Sequence, residues 1–299
     1  MSVVLHLLVL LLAPLPMLGL INMVKARLSG RRGPPLLQPL HDVLKLLKKG
    51  AVYSRTTTWV FVAGPIISLG SALAAGLLVP LGYGPAPLAF AGDVFLFAYL
   101  LGLGRFFTMA AALDTGSPFE GMGASREAAF AALAEPALFL CLMALCVPAR
   151  LPSLGLALGA LPALEHPVLL VAAVALGVVL LAETARIPVD DPSTHLELTM
   201  IHEVMILDHS GPDLAFLTYG YAVKLFTLGA VLTSFVAPPA HGGRGLAILL
   251  GGEVAVAVAI GIIESIMARL RLSRVPQLLV SASVIAAIGV LVLSGGGRP

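Results

Sequence analysis

The 299-residue sequence predicts an all-α integral membrane protein: eight transmembrane helices plus an amphipathic interfacial helix, with both termini on the outer (periplasmic) side. Three observations carry that expectation. Hydrophobic residues make up 59% of the chain and charged residues 11%, with a mean hydropathy of +1.01, so there is too little polar surface to cover a water-soluble globule of this length. Apolar runs long enough to cross about 30 Å of hydrocarbon recur along the chain. Finally, Lys and Arg concentrate in alternate connections between those runs.

The runs fall at about 3–24, 58–81, 90–113, 128–148, 166–184, 213–237, 246–268 and 275–294. The first lacks a basic leading segment and exceeds the apolar core of a signal peptide. With Pro14 and Pro16 inside it and Lys25 and Arg27 behind it, it reads as a retained span. Residues 36–49 put Leu36, Leu40, Val43, Leu44 and Leu47 on one helical face, with Lys45, Lys48 and Lys49 elsewhere. That stretch is too short to span, so an amphipathic helix at the inner interface is expected, with a re-entrant element as the alternative. Pro65 and Pro80 in the second run read as an ordinary kink and a helix end. In the fourth run, Pro136 removes a helix hydrogen bond beside Glu135. Cys141 and Cys146, five apart, match no ligand spacing and read as packing thiols.

Orientation follows from the basic residues. The 25–57 connection holds Lys25, Arg27, Arg31, Arg32, Lys45, Lys48, Lys49 and Arg55; the later loops of that side add Arg126, Arg186, Arg269, Arg271 and Arg274. The opposite side has Arg150, Arg244 and Arg298, so the richer side is read as cytoplasmic. Residues 1–299 thus form one membrane domain, with an acidic cytoplasmic loop at about 185–212.

Six ionisable residues sit in or at the ends of the runs: Arg105, Glu135, Glu183, Lys224, Glu253 and Glu264. A charge near hydrocarbon costs several kcal/mol and by default marks function. Glu253 and Glu264, eleven residues apart, share one helical stripe over about 16 Å. Such spacing suits a proton relay in which each acid exchanges with the next acid, lysine or water; independent buried ion pairs are the alternative. The following loop adds Asp190, Asp191, Glu197 and Glu203 among His195, His202 and His209, without an H-x-x-x-H or H-E-x-x-H spacing, and no metal site is expected. Phosphate-binding loops, iron–sulfur cysteine sets and nucleophile elbows are all missing, so the chain is expected to carry no catalytic residue and no redox centre. Nothing in it supports nucleic-acid binding.

Four motifs occur in a familiar order: Arg32-Gly-Pro-Pro-Leu-Leu-Gln-Pro-Leu-His-Asp-Val-Leu-Lys45, Gly123-Ala-Ser-Arg-Glu127 with Glu135-Pro136, Ala182-Glu-Thr-Ala-Arg-Ile-Pro-Val-Asp190, and Arg274-Val-Pro-Gln-Leu278. Through them nearly the whole chain resembles the respiratory complex I membrane subunit that joins the hydrophilic arm. It looks closer still to the membrane subunits of group 4 nickel–iron hydrogenases of the formate hydrogenlyase and hydrogenase-4 type. Stretches typical of that branch are 113–121 and 189–211.

The resemblance implies an eight-helix fold with a surface helix in a prokaryotic inner membrane. It further implies partners: hydrogenase large and small subunits, an iron–sulfur subunit and antiporter-like membrane subunits. The nickel–iron centre and iron–sulfur clusters would lie in those partners and no cofactor in this chain. Glu135, Glu183 and Glu197 map onto the family's acidic path, with Asp190 in the same loop, while Glu264 resembles the hydrogenase branch. The expected proton path is therefore Arg105, Glu135, Glu183, Asp190, Asp191, Glu197, Glu203, Lys224, Glu253 and Glu264. Arg32, Gln38, Asp42, Lys45, Arg126, Arg186 and His202 are expected to face the soluble arm. After Ala182-Glu-Thr the chain departs from complex I, which typically has Asn-Arg-x-Pro-Phe-Asp there; this turns the expectation away from quinone reduction and toward coupling hydrogenase electron transfer to ion translocation. The alternatives are a quinone-site subunit of a complex I-type enzyme, a stand-alone secondary transporter and a purely structural anchor.

Overall fold

The computed structural model describes residues 2–82, 84–150, 152–160, 167–190, 200–237 and 240–295, and among these every regular element is helical. In chain order they are α1 (Ser2–Leu12), α2 (Pro14–Leu28), α3 (Gln38–Leu47), α4 (Trp59–Gly76), α5 (Asp93–Asp114), α6 (Pro118–Ala149), α7 (Leu154–Ala160), α8 (Pro167–Glu183), α9 (His202–Met205), α10 (Gly211–Val236), α11 (Gly242–Ile266) and α12 (Val275–Gly295). By length and apolarity, seven helices among the described residues can cross a membrane, and Val168–Glu183 is a shorter apolar helix.

The first expected run is a rod kinked at Ala13, because Pro14 and Pro16 occupy the first turn of α2, where a missing N–H is tolerated. The run expected at 128–148 begins instead at Pro118, so Arg126 and Glu127 lie within α6 rather than in a loop. Asp114 fastens α4 to the end of α5. Its carboxylate accepts from the N–H of Thr58 at 2.6 Å, the hydroxyl of Thr58 at 2.9 Å and the N–H of Phe61 at 3.3 Å.

The surface helix α3 is shorter than the expected 36–49, and its face differs. Val43 is buried and Leu40 and Leu46 are partly buried against Leu15, Ala215 and Ala222, while Leu36, Leu44 and Leu47 point away from the protein. Protein and surroundings each receive an apolar strip, as a helix lying in a membrane interface requires.

The bundle is built around α10. Between Ala222 and Val231 all its residues are buried, and Phe226 and Leu228 join Phe97 of α5, Leu142 of α6 and Leu176 of α8 in the main core. Small residues bring α4 and α5 together: a Cβ on Gly104 would lie 2.5 Å from Ser71 Oγ. That close approach sets the neighbouring Arg105 between α5, α6 and α8.

Candidate functional site

Arg105 gathers carboxylates from two other helices. Its Nε lies 3.3 Å from Glu127 and its Nη1 3.0 Å from Glu135, both on α6, while Nη2 donates to Glu183 at the end of α8. The second oxygen of Glu183 is 2.7 Å from Lys224 Nζ on α10. Glu183 has no exposed side-chain surface, and Arg105 and Lys224 are only 5% and 11% exposed. A carboxylate as deeply buried as Glu183 is held by its two cations, and removing either strands the charges that remain. A planar guanidinium presents five N–H donors in a fixed fork, so it meets carboxylates from several set directions at once. Glu135 differs from the others, with its side chain 48% exposed. It belongs to an apolar groove of about 470 Å³ between α5 and α6, walled by Leu96, Tyr99, Leu103, Phe106, Leu138 and Phe139.

A second cluster lies where α2 and α8 end. Glu264 of α11, fully buried, meets Lys25 Nζ at 2.8 Å and Arg186 Nη1 at 3.2 Å. Asp190 accepts from the backbone N–H of Ile201 at 3.2 Å and of His202 at 3.0 Å, and pairs with Arg269 at 3.0 Å. It thereby ties the turn after α8 both to α9 and to the segment between α11 and α12.

A cavity lies at each cluster. One of about 290 Å³ is lined by Lys25, Arg186, Asp190 and Glu203, the other, of about 30 Å³, by Ser68, Arg105, Glu127, Glu183 and Lys224. The smaller has room for about one water. His202 and Tyr221 wall both, and Tyr221 Oη is 3.1 Å from His202 Nδ1. Burial, aided by the charge of Lys224, pushes the His202 imidazole down to about 3, so the ring is neutral near pH 7.

The structure therefore brings Arg105, Glu135, Glu183 and Lys224 together, and places Asp190 and Glu203 on the larger cavity, with Glu264 paired to its lining residues Lys25 and Arg186. Glu253 stands apart: it shares a stripe of α11 with Glu264, but faces Gly229 of α10 and has no partner among the described residues. Asp191, Glu197 and His195 lie outside the described residues.

Of the residues expected to face a soluble arm, Arg32, Asp42 and Lys45 are exposed, and Gln38 donates to Asp42 at 2.9 Å. Arg126 is half-buried and donates to the carbonyl of Met200 at 2.9 Å. Arg186 and His202 are buried inside the chain, which corrects their expected surface role: one pairs with Glu264 and the other separates two cavities. Sequence reasoning missed Glu127, Lys25, Tyr221 and Arg269 as site residues. Glu127 had a signal, since it closes the Gly123-Ala-Ser-Arg-Glu127 motif. Cys141 and Cys146 are buried and unpaired, and among the described residues no group of metal-ligating side chains comes together.

The sequence model of the NADH dehydrogenase family matches residues 1–295. The chain belongs to that family. Hydrogenase-4 component C of Escherichia coli strain K12 is 33% identical over 235 residues, covering 77% of this chain and 72% of the relative. Formate hydrogenlyase subunit 4 of the same strain is 30% identical over 280 residues and 90% of each chain. A subunit of the NADH-quinone oxidoreductase of Anaplasma phagocytophilum is 28% identical over 233 residues, 70% of this chain and 67% of the relative. Among solved structures, a chain of the membrane-bound sulfane sulfur reductase (MBS), an archaeal respiratory membrane complex, superposes with a TM-score of 0.82 over 98% of this chain and 100% of that one. At 23% identity it speaks to the fold alone. The family membership and the apolar helices make the chain a multi-pass prokaryotic membrane protein, a membrane subunit of the complex I-like type.

Proposed function

We propose that this chain anchors a soluble redox arm and conducts protons for it, as the membrane subunit of a hydrogenase complex of the formate hydrogenlyase type. The observation that carries the reading is the Arg105 network. Two cations, Arg105 and Lys224, meet three carboxylates, Glu127, Glu135 and Glu183, in one cluster that is buried at Glu183 and opens at Glu135. One negative charge is left over, and a proton neutralises it at small cost.

Eight spans with both termini outside, in one domain, put the larger cavity on the cytoplasmic side beneath the arm. Protons would pass from Asp190, Asp191, Glu197 and Glu203 through the His202–Tyr221 wall to Lys224 and Glu183, and from there to Glu127 and Glu135, with Arg105 staying protonated and shifting its contacts among the carboxylates. Protonating one carboxylate releases Arg105 toward the others, so a charge change in the arm is passed on electrostatically. Glu264, between Lys25 and Arg186, holds the mouth of the path in shape.

Large, small and iron–sulfur subunits would dock over the cavity mouth at Arg32, Asp42 and Lys45, and antiporter-like subunits along the Glu135 groove. The nickel–iron centre and iron–sulfur clusters belong to those partners; the core positions of Cys141 and Cys146 offer this chain no ligand set. The test uses the intact complex in membrane vesicles. With Glu135→Gln or Glu183→Gln, redox turnover should continue while proton translocation is lost; undiminished pumping by both variants overturns the relay.

A second reading rests on the apolar wall of the larger cavity, where Leu18, Ala222 and Leu225 could accept a quinone ring. Quinone-dependent turnover that disappears in Leu225→Trp would establish it.

A further inference from the structure

Glu253 is the one intramembrane acid that the proposed relay leaves unused. It projects from α11 against α10, 4% exposed, so close that a Cβ on Gly229 would lie 2.7 Å from Oε2 and 3.0 Å from Oε1. Neither oxygen has a hydrogen-bond partner among the described residues. One turn further along α10, the Thr233 hydroxyl is buried and likewise without a partner. Its neighbours differ: Thr218, Thr227 and Ser234 each donate to the carbonyl four residues back, whereas Thr233 packs against Gly252 with its hydroxyl free.

The titratable groups of the two helices packed against α11 are engaged elsewhere. On α2, Lys25 is held by Glu264, and Arg27 lies beyond it at the helix end. On α10, Lys224 is held by Glu183, Tyr221 by His202, Tyr219 by the carbonyl of Leu11, and Asp213 by Tyr53. Between Lys224 and Thr233, α10 presents Leu225, Phe226, Leu228, Ala230 and Val231, none more than 1% exposed, and Thr227, whose hydroxyl is bonded back to Val223. This stretch of α10 therefore offers no free polar side chain to link Glu253 to the Arg105 network.

We infer that Glu253 and Thr233 form a proton-binding site of their own, exchanging with the side of the membrane on which α10 ends. A bare carboxylate with no cation facing it is untenable at such depth, whereas the acid form removes the charge and supplies the donor that Thr233 can accept.

A hydrophobic carbodiimide tests this in the intact complex in native membranes, because it reacts with protonated carboxyl groups. The acid O–H adds across one N=C bond, and acyl migration to nitrogen leaves a stable N-acylurea with no atom lost. Peptide mass spectrometry should find the adduct on Glu253, falling as the pH on the Val236 side is raised and unchanged by added sodium chloride. The ion-paired Glu183 and Glu264 should stay unlabelled. In Thr233→Val the acid form loses the acceptor that stabilises it, so labelling should fall away at lower pH. Absence of the Glu253 adduct while other membrane carboxyls react, protection by sodium at constant pH, dependence on the pH of the Gly211 side, or an unmoved Thr233→Val profile would each overturn the inference. Labelling is read without measuring pumping, so its outcome is independent of the relay's.

Discussion

Replacing Arg105 leaves Glu127, Glu135 and Glu183 with one cation, Lys224, which touches Glu183 alone. Arg105→Leu should therefore destabilise the chain by about 3–5 kcal/mol, the usual consequence of stranding buried charge. Arg105→Lys restores the charge but not the fork, and should recover only part of the loss. Glu135→Gln leaves Glu127 and Glu183 on the arginine and strands no cation, so it should cost less than Arg105→Leu. Thermal unfolding of the detergent-solubilised complex checks the order. At this scale the sequence was informative in one direction only: hydropathy singled out Arg105, Glu135, Glu183, Lys224 and Glu264 as misplaced charges, yet pairing depends on contacts between residues far apart in the chain. Glu183 meets Arg105 across 78 positions, a separation that no periodicity encodes.

Among the elements, α9 is a single turn, too short to hold itself, and Asp190 accepts the N–H groups at its start. Removing that cap with Asp190→Ala should cost about 1–2 kcal/mol locally, read as faster amide exchange over 200–206. The same segment should loosen in acid. His209, stacked on Phe61 with ring centroids 4.0 Å apart, is pushed by burial down to about 4, and His202 to about 3. Both bind a proton more readily when unfolded, near 6.5, so stability falls as pH drops from 6.5 toward 4, by up to roughly 1.4 kcal/mol per unit for each histidine. His209→Phe should flatten that slope, as pH-dependent exchange over 200–210 would reveal. The apolar elements were legible because their runs are long. The early start of α6 was not, since residues 118–127 mix Glu120, Arg126 and Glu127 with small residues and read as a loop by hydropathy. For α3 the periodicity identified the helix but misjudged its face, because leucines lie on two sides and only packing against α2 and α10 decides which is buried.

For the molecule as a whole, burial is uneven. The central helix α10 is two-thirds enclosed by its own chain, while α11 and α12 present most of their surface outward. The chain's own contacts therefore hold the charged network, and its outer helices are left for lipid or for neighbours. The two stretches typical of the hydrogenase branch meet in space, with Glu120 accepting from the N–H of Asp208 at 3.1 Å, so what looked like separate signatures is one scaffold beside the site. Composition alone was enough for the membrane class; this meeting of distant segments could not be read from it.

The groove at Glu135 bears on how the protein is made. In a lone subunit spanning a membrane, the half-exposed carboxylate of Glu135 in its apolar groove would meet lipid, where a charge is poorly tolerated, and a neighbour offering polar contacts would relieve it. Synthesised without its companions, the chain should be an orphan that cellular proteases clear quickly, and Glu135→Leu should lengthen its half-life in a pulse-chase experiment. Equal lifetimes would mean that the groove plays no part in quality control. The residue proposed to pass protons sideways would then also tell the cell whether assembly is complete.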